Sequence, residues 1–465
     1  MIYTTGASLA LALLLFAWVG VRARRVDGGL DDYMTARNSQ GARTLGLSFL
    51  ASGMGSWILF APPEVAALAG PVALAGYAVG AALPFLILAY CGPAIRRRVP
   101  HGQSIGDFAQ ACFGTLMRRW VAFLSVLYML CFLAAELTAI GAITTLLSEL
   151  DGRWVVIAVA LTTLTYTAWG GLRASLVTDR WQAPLLLALL GVVAFVALQY
   201  PSDSPAEHAM PQLPLASGLG VALTLIIAVT AANLFHQGYW QRLWAAQSAK
   251  KLGQGALLGG AATVLVVALV GGLGVAAVVA GVELGTPPMP FFALLTSAPD
   301  WLALPALVLA LTLVASSVDT LQNAIASLAL TERRGLTLTN ARWLTVALML
   351  PVVLIALQGM SVLRLFLIAD LLCASAVVPV LLGLWARMTT SAALAGSIAG
   401  LVATVIPGWY SGGSLISGLE LASFPGGVPT LAPFAWALGA STATSLGVAF
   451  LMSSPAMPAD GQRET

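Results

Sequence analysis

An all-α polytopic membrane protein is the fold class this sequence predicts, and three observations carry the prediction. Only 9% of the 465 residues are charged and 59% are hydrophobic, whereas soluble domains carry about 25% charged residues. Mean hydropathy is +0.90. Apolar runs long enough to cross about 30 Å of hydrocarbon as helices recur along nearly the whole length, and their unbroken character excludes a β-barrel, whose strands alternate. The expected organisation is one integral membrane domain over 1–452, followed by a short disordered cytoplasmic tail at 453–465 with no soluble module.

The first run, 2–21, has no basic residue before it and Arg22, Arg24 and Arg25 after it, the reverse of a signal peptide. It reads as a retained span with its N-terminus outside. Further spans are expected at 45–69, 71–95, 121–147, 154–169, 181–200, 218–235, 257–282, 301–328, 343–357, 362–384, 392–406 and 431–452, which makes thirteen in all. Threaded in that order, every Lys and Arg except Arg153 and Arg364 falls in an inner segment. Cytoplasmic loops carry the basic excess, so the C-terminus is expected in the cytoplasm. The segment 201–214 and the Gly, Ser and Pro-rich segment 407–429 then read as outer loops.

The net charge of +3 is dispersed among these inner loops and gives no reason to expect a nucleic-acid partner. The expected partners are membrane lipid and a small-molecule solute. Cys91, Cys112, Cys131 and Cys373 lack pair spacing and read as packing residues. No nucleophile and base, and no metal-ligand cluster, stand at a plausible spacing for an enzyme.

Chemistry concentrates in 311–323, Leu-Thr-Leu-Val-Ala-Ser-Ser-Val-Asp-Thr-Leu-Gln-Asn. On a helix, Thr312, Ser316, Asp319, Thr320, Asn323 and Ser327 share one stripe, bordered by Ser317. Ionisable groups at membrane depth cost about 2.5 to 3.5 kcal/mol each on insertion scales and persist mainly where they face a bundle interior or an ion path. Hydroxyl and carbonyl oxygens suit a small hard cation, with one carboxylate to balance its charge. The competing reading is hydroxyls bonded back to their own helix. The 45–69 span contains Gly53, Gly55, Pro62, Pro63 and Glu64, which predicts an interrupted helix whose freed carbonyls supply the other half of a cation site, or else a simple proline kink.

After the fifth span the chain reads Tyr166-Thr167-Ala168-Trp169-Gly170-Gly171-Leu172, then Thr178-Asp179-Arg180-Trp181-Gln182. This resembles the Tyr-Thr-x-x-Gly-Gly-Leu…Thr-Asp-x-x-Gln signature of the sodium/solute symporter family. Asp31-Asp32-Tyr33-Met34, Ser316-Ser317-Val318-Asp319-Thr320 and Leu381-Leu382-Gly383-Leu384-Trp385-Ala386-Arg387 are similar to further motifs of the same family. The resemblance implies a leucine-transporter-like inverted repeat of five and five helices, at 45–200 and 218–384, with one extra N-terminal and two extra C-terminal helices. It also implies sodium-driven import of a small organic solute. Carried over by position, the sodium ligands are Ser316, Ser317, the carbonyl of Leu313 and carbonyls near Ser52 to Gly55. Asp179 matches the carboxylate near the inner sodium exit, and Asp319 and Thr320 are neighbouring candidates. Several family members have an acidic residue where this chain has Gly53, so a proton is the alternative coupling ion.

For the solute, Asn233 and His236 close the seventh span, with Trp57 and Phe60 as candidate cavity walls and Glu64 and Glu136 as intramembrane carboxylates. The ending Tyr239-Trp240-Gln241-Arg242 is similar to that of the urea and polyamine branch. The alternative for His236 is a packing or interfacial histidine. Glu136 reads equally as a proton-coupling group or as a protonated carboxyl bonded to a neighbouring helix, and Asp370 also lies inside a span. The expected activity is a sodium-coupled symporter, and the expected location is the inner (plasma) membrane of a bacterium. A solute sensor working with a separate signalling partner is the competitor from another class.

Overall fold

The structure, a computed structural model, describes residues 2–22, 38, 40–53, 56–102, 104–170, 188–196, 199, 213–332 and 338–452. These are helical throughout, in the order α1 Ile2–Arg22, α2 Ala42–Gly53, a 3₁₀ turn Ser56–Leu59, α3 Ala61–Arg98, α4 Ile105–Phe113, α5 Thr115–Leu147 and α6 Gly152–Gly170. Helical residues at 188–196 follow. Then come α7 Leu215–Phe235, α8 Gln237–Ala245, α9 Ala249–Val279, α10 Asp300–Glu332, α11 Leu338–Ala356, α12 Val362–Ala374, α13 Thr390–Ala403, α14 Ile406–Gly412, α15 Leu415–Ala422 and α16 Leu431–Met452. Short helical turns Pro290–Ala293 and Val377–Leu381 and 3₁₀ turns Leu382–Leu384 and Pro425–Gly427 complete the set.

Eight helices among the described residues are long and apolar enough to cross a membrane, and three shorter apolar helices accompany them. The span expected at 45–69 is divided between α2, the 3₁₀ turn and the first part of α3. Half of the span expected at 181–200 lies outside the described residues, and Asp31 to Arg37, Gly171 to Gln182 and the tail lie wholly outside them. Leucines and valines face outward on most of these helices, as a lipid solvent requires. Trp154, Trp301 and Trp343 are 69%, 66% and 68% exposed at or near the starts of α6, α10 and α11, the place of interfacial aromatic anchors.

Local sequence explains the boundaries. Pro62 and Pro63 occupy the first turn of α3, where a missing N–H costs nothing, so they begin a helix and do not kink one. Gly70 has φ 79° and precedes Pro71, which bends α3 at the boundary expected between two spans. Ser104 caps α4 by accepting from the Asp107 N–H at 3.0 Å, and Gly114, at φ 80°, turns the chain into α5. The segment 407–429 is no irregular loop. It folds as α14 and α15 with a 3₁₀ turn Pro425–Gly427, Ser414 capping α15 through the Ser417 N–H at 3.1 Å.

The most extensive packing is α9 against α3, then α7 against α3, α13 against α16, and α9 against α2. Small residues permit the approach: a Cβ on Gly274 of α9 would run into the Pro63 backbone, and one on Gly76 of α3 into Ala222 of α7. Around α8 the core is aromatic, with Phe49 and Phe85 5.1 Å apart, Phe85 and Tyr239 4.7 Å apart, and Phe108 and Trp240 5.6 Å apart. The approaches to the two interrupted helices meet at one end of the bundle. There the Gln40 N–H donates to Ala245 O at 2.9 Å, the Gln247 N–H to Gln40 O at 3.1 Å, and Arg96 to Ala246 O at 2.9 Å and to Asn38 Oδ1.

Candidate functional site

The site is built where α2 stops. α2 is described as far as Gly53, and from Ser56, which is 3% exposed, the chain is a 3₁₀ turn. The Ser56 hydroxyl donates to Oε2 of Glu136, a carboxylate on α5 that is 1% exposed. Its other oxygen, Oε1, accepts from the Ser317 hydroxyl of α10 at 3.0 Å. One carboxylate thereby joins three elements: the interrupted segment, α5 and α10. Each serine gives its proton to Glu136, so its oxygen lone pairs stay available on the other side. Ser316, 2% exposed, is the adjacent residue.

Hydroxyl, carbonyl and carboxylate oxygens are the donor set of a hard cation. No group of three His, Cys, Asp or Glu side chains occurs among the described residues. With oxygen donors throughout, the arrangement suits a hard cation better than a metal that seeks thiolate or imidazole.

Leu313, Asp319 and Thr320 stand on the same helix as Ser316 and Ser317. Leu313, 3% exposed, lies one turn before Ser317 on α10. Asp319 is fully buried and accepts from Thr320 Oγ1 at 3.3 Å. Thr320 is exposed, and its hydroxyl donates to Ser316 O at 3.0 Å, as Thr312 does to Val308 O at 2.8 Å. For these two threonines the backbone-bonding reading of the stripe describes what they do. Ser52 sits in the last turn of α2, with only its backbone described; Gly55 and Asp179 lie outside the described residues.

The solute candidates divide as well. Trp57 stacks on Tyr77 with centroids 5.9 Å apart. Phe60 is 2% exposed and packs on Phe292 at 6.1 Å. Asn233 lies near the end of α7, 9% exposed. His236 is the interruption itself, extended at φ −70°, ψ 112° between α7 and α8. Its Nδ1 is buried without a partner among the described residues, the condition of a group that awaits a ligand or water.

Glu64 is committed elsewhere. Its Oε1 accepts from the Ser361 hydroxyl at 2.8 Å and its Oε2 from the Leu363 N–H at 3.1 Å. It therefore holds the start of α3 against the N-terminus of α12, where the helix dipole favours an anion. Arg364, in the same turn of α12, donates to Ser423 O at 2.7 Å and to Ser423 Oγ at 3.0 Å. Glu64→Ala leaves one buried donor, the Leu363 N–H, and one half-buried donor, the Ser361 hydroxyl, unpaired and is expected to cost about 1–3 kcal/mol. A lowered apparent melting temperature of the detergent-purified protein, relative to Glu64→Gln, checks this.

Sequence reasoning missed Ser56 and left Glu136 open between balancing a solute, coupling protons and bonding to a neighbouring helix. The available signal for Ser56 was a hydroxyl directly after the Gly53 to Gly55 stretch, at membrane depth.

No protein-family model matches the chain. The spermidine transporter DUR31 of Candida albicans is 30% identical over 363 residues, covering 76% of this chain and 69% of that protein. Among solved structures, a Na+-coupled sialic acid symporter in a substrate-bound outward-open state superposes with a TM-score of 0.71 at 17% identity, covering 97% of this chain and 98% of its own. Mhp1 in an inward-facing conformation superposes with a TM-score of 0.60 at 16% identity, covering 89% and 93%. The structural likenesses establish a LeuT-like helical fold, and the apolar helices make the protein an integral membrane protein. At 30% identity over 76% of its length, the chain belongs to the membrane-transporter family that includes the Candida albicans spermidine transporter.

Proposed function

We propose that the protein is a sodium-coupled symporter that imports a small polar organic solute by alternating access, within the sodium/solute symporter family whose motifs its sequence resembles. The observation that carries this reading is the Glu136 carboxylate bridging Ser56 and Ser317. It brings negative charge to the junction where Gly53 offers none. Sodium would be held by the hydroxyls of Ser316 and Ser317 with carbonyls of Leu313 and of the Ser52 to Gly55 stretch, and Asp179, Asp319 and Thr320 would line its inner exit. Sodium binding there raises solute affinity, and reciprocity requires the solute to raise sodium affinity equally.

The inverted repeat at 45–200 and 218–384 is supported by the two interruptions, after Gly53 and at His236, each in the first helix of its half. Thirteen crossings with the N-terminus outside and a bacterial plasma membrane complete the proposal. The spermidine named for the fungal relative makes amines the first solutes to test.

Uptake into proteoliposomes is expected to require a sodium gradient and to lose that requirement, with most of its rate, in the Ser316→Ala, Ser317→Ala double variant. Unaltered sodium dependence in that variant would reject the site. Proton coupling is the second reading, favoured by the same buried Glu136. It predicts uptake in sodium-free buffer that collapses when the pH gradient is dissipated.

A further inference from the structure

A second intramembrane carboxylate, Asp370 of α12, takes no part in the Glu136 cluster. It is 5% exposed, and its side chain has no hydrogen-bond or ion-pair partner among the described residues. Tyr77 from α3 and Tyr128 from α5, also 5% exposed each, and the thiols of Cys131 and Cys373 lie within electrostatic range of it. The aromatic lining continues outward. Trp57 stacks over Tyr77, while Tyr128 meets Phe132 at 4.5 Å and Phe132 meets Phe366 at 4.5 Å. Phe366 precedes Asp370 by one helical turn, on the same face.

An isolated carboxylate in such surroundings is costly, and proteins keep one only where a partner compensates it. The surroundings restrict what that partner is. A hard inorganic cation needs several oxygen ligands, whereas the side chains that interact with Asp370 are two tyrosines and two cysteines. Aromatic faces attract an ammonium within about 6 Å of the ring centroid. Ammonium N–H groups also form charge-assisted hydrogen bonds with a carboxylate, and their methylene stems pack on the rings. A neutral amide such as urea would leave the charge uncompensated.

We infer that Asp370 is the specificity-determining carboxylate for an organic ammonium group of the transported solute, received between the rings of Trp57, Tyr77, Tyr128 and Phe366. The inference rests on the proposed solute transport and deepens it, by fixing the solute class as a primary or secondary amine. It also divides the labour of the two buried acids: Glu136, with both oxygens engaged by serines, belongs to the coupling ion, and Asp370 to the solute.

The test measures binding of labelled spermidine and labelled urea to the purified full-length protein, beside the thermal shift caused by sodium alone. The wild-type protein is expected to bind spermidine in preference to urea. Asp370→Asn, nearly isosteric, is expected to weaken spermidine binding by roughly tenfold or more, about 1.4 kcal/mol, and to keep the sodium shift, which also shows that it is folded. Asp370→Glu, which restores the charge, is expected to bind spermidine better than Asp370→Asn does. Unchanged spermidine affinity in Asp370→Asn overturns the inference, and so does a wild-type protein that binds urea in preference or binds neither probe. Absence of the sodium shift in the wild type rejects sodium coupling alone, and the spermidine comparison still decides the role of Asp370.

Discussion

Glu136→Gln is expected to reduce sodium-dependent uptake by roughly a hundredfold or more while the protein still inserts and purifies as a folded monodisperse species. Glutamine keeps the volume, and its carbonyl can still accept from one of the two serine hydroxyls, so the junction of α5, α10 and the 3₁₀ turn retains its shape. What it loses is the charge. A cation in a water-poor site stripped of its counter-charge is disfavoured by about 3–5 kcal/mol, and each 1.4 kcal/mol or so is a factor of ten in affinity. Uptake assayed across a range of sodium concentrations checks this. If the half-saturating sodium concentration of Glu136→Gln matched that of the wild type, Glu136 would be a structural bridge only.

Gly274→Val is expected to destabilise the protein by about 3 kcal/mol or more, a loss larger than that of Glu64→Ala. Its first side-chain atom would overlap the backbone of Pro63, which cannot rotate aside as a flexible side chain can. α9 and α3 share the most extensive packing in the molecule, so separating them also disturbs Glu64 and the clamp on α12. Gly272→Val is the control, because a Cβ there meets nothing within 4 Å. The apparent melting temperatures of the two variants are expected to diverge, with only Gly274→Val far below the wild type. Equal melting temperatures would mean that the two helices can part without cost.

Much of this architecture was legible in the sequence because membrane burial is written locally. Apolar run length gave the helices, and helical spacing put Ser316 on one polar stripe bordered by Ser317. The glycines and prolines of 53–63 marked a break in the 45–69 span, where the 3₁₀ turn Ser56–Leu59 precedes α3. What escaped depended on distant partners or on misleading local signals. Glu136 lies 80 residues from Ser56 and 181 from Ser317, and no periodicity connects them. Pro62 and Pro63 look like breakers, yet a first helical turn tolerates them. The glycines and serines of 407–429 suggest a loop, but Ser414 caps one helix and Gly413, at φ 68°, ends another. The interruption at His236 has no preceding proline or glycine, and the bonds that hold it bent run to backbone carbonyls a few residues away.

One of those bonds has a mechanical meaning. The indole N–H of Trp240 donates to the carbonyl of Leu234 at 2.6 Å, spanning the extended residue and occupying an acceptor that a continuous rod would have given to its own backbone. Straightening this joint requires the indole to let go first, so the ring acts as a wedge that keeps the elbow bent. With the elbow fixed, α7 and α8 cannot fuse into one stiff lever, and any swing of one leaves the other free to stay where it is.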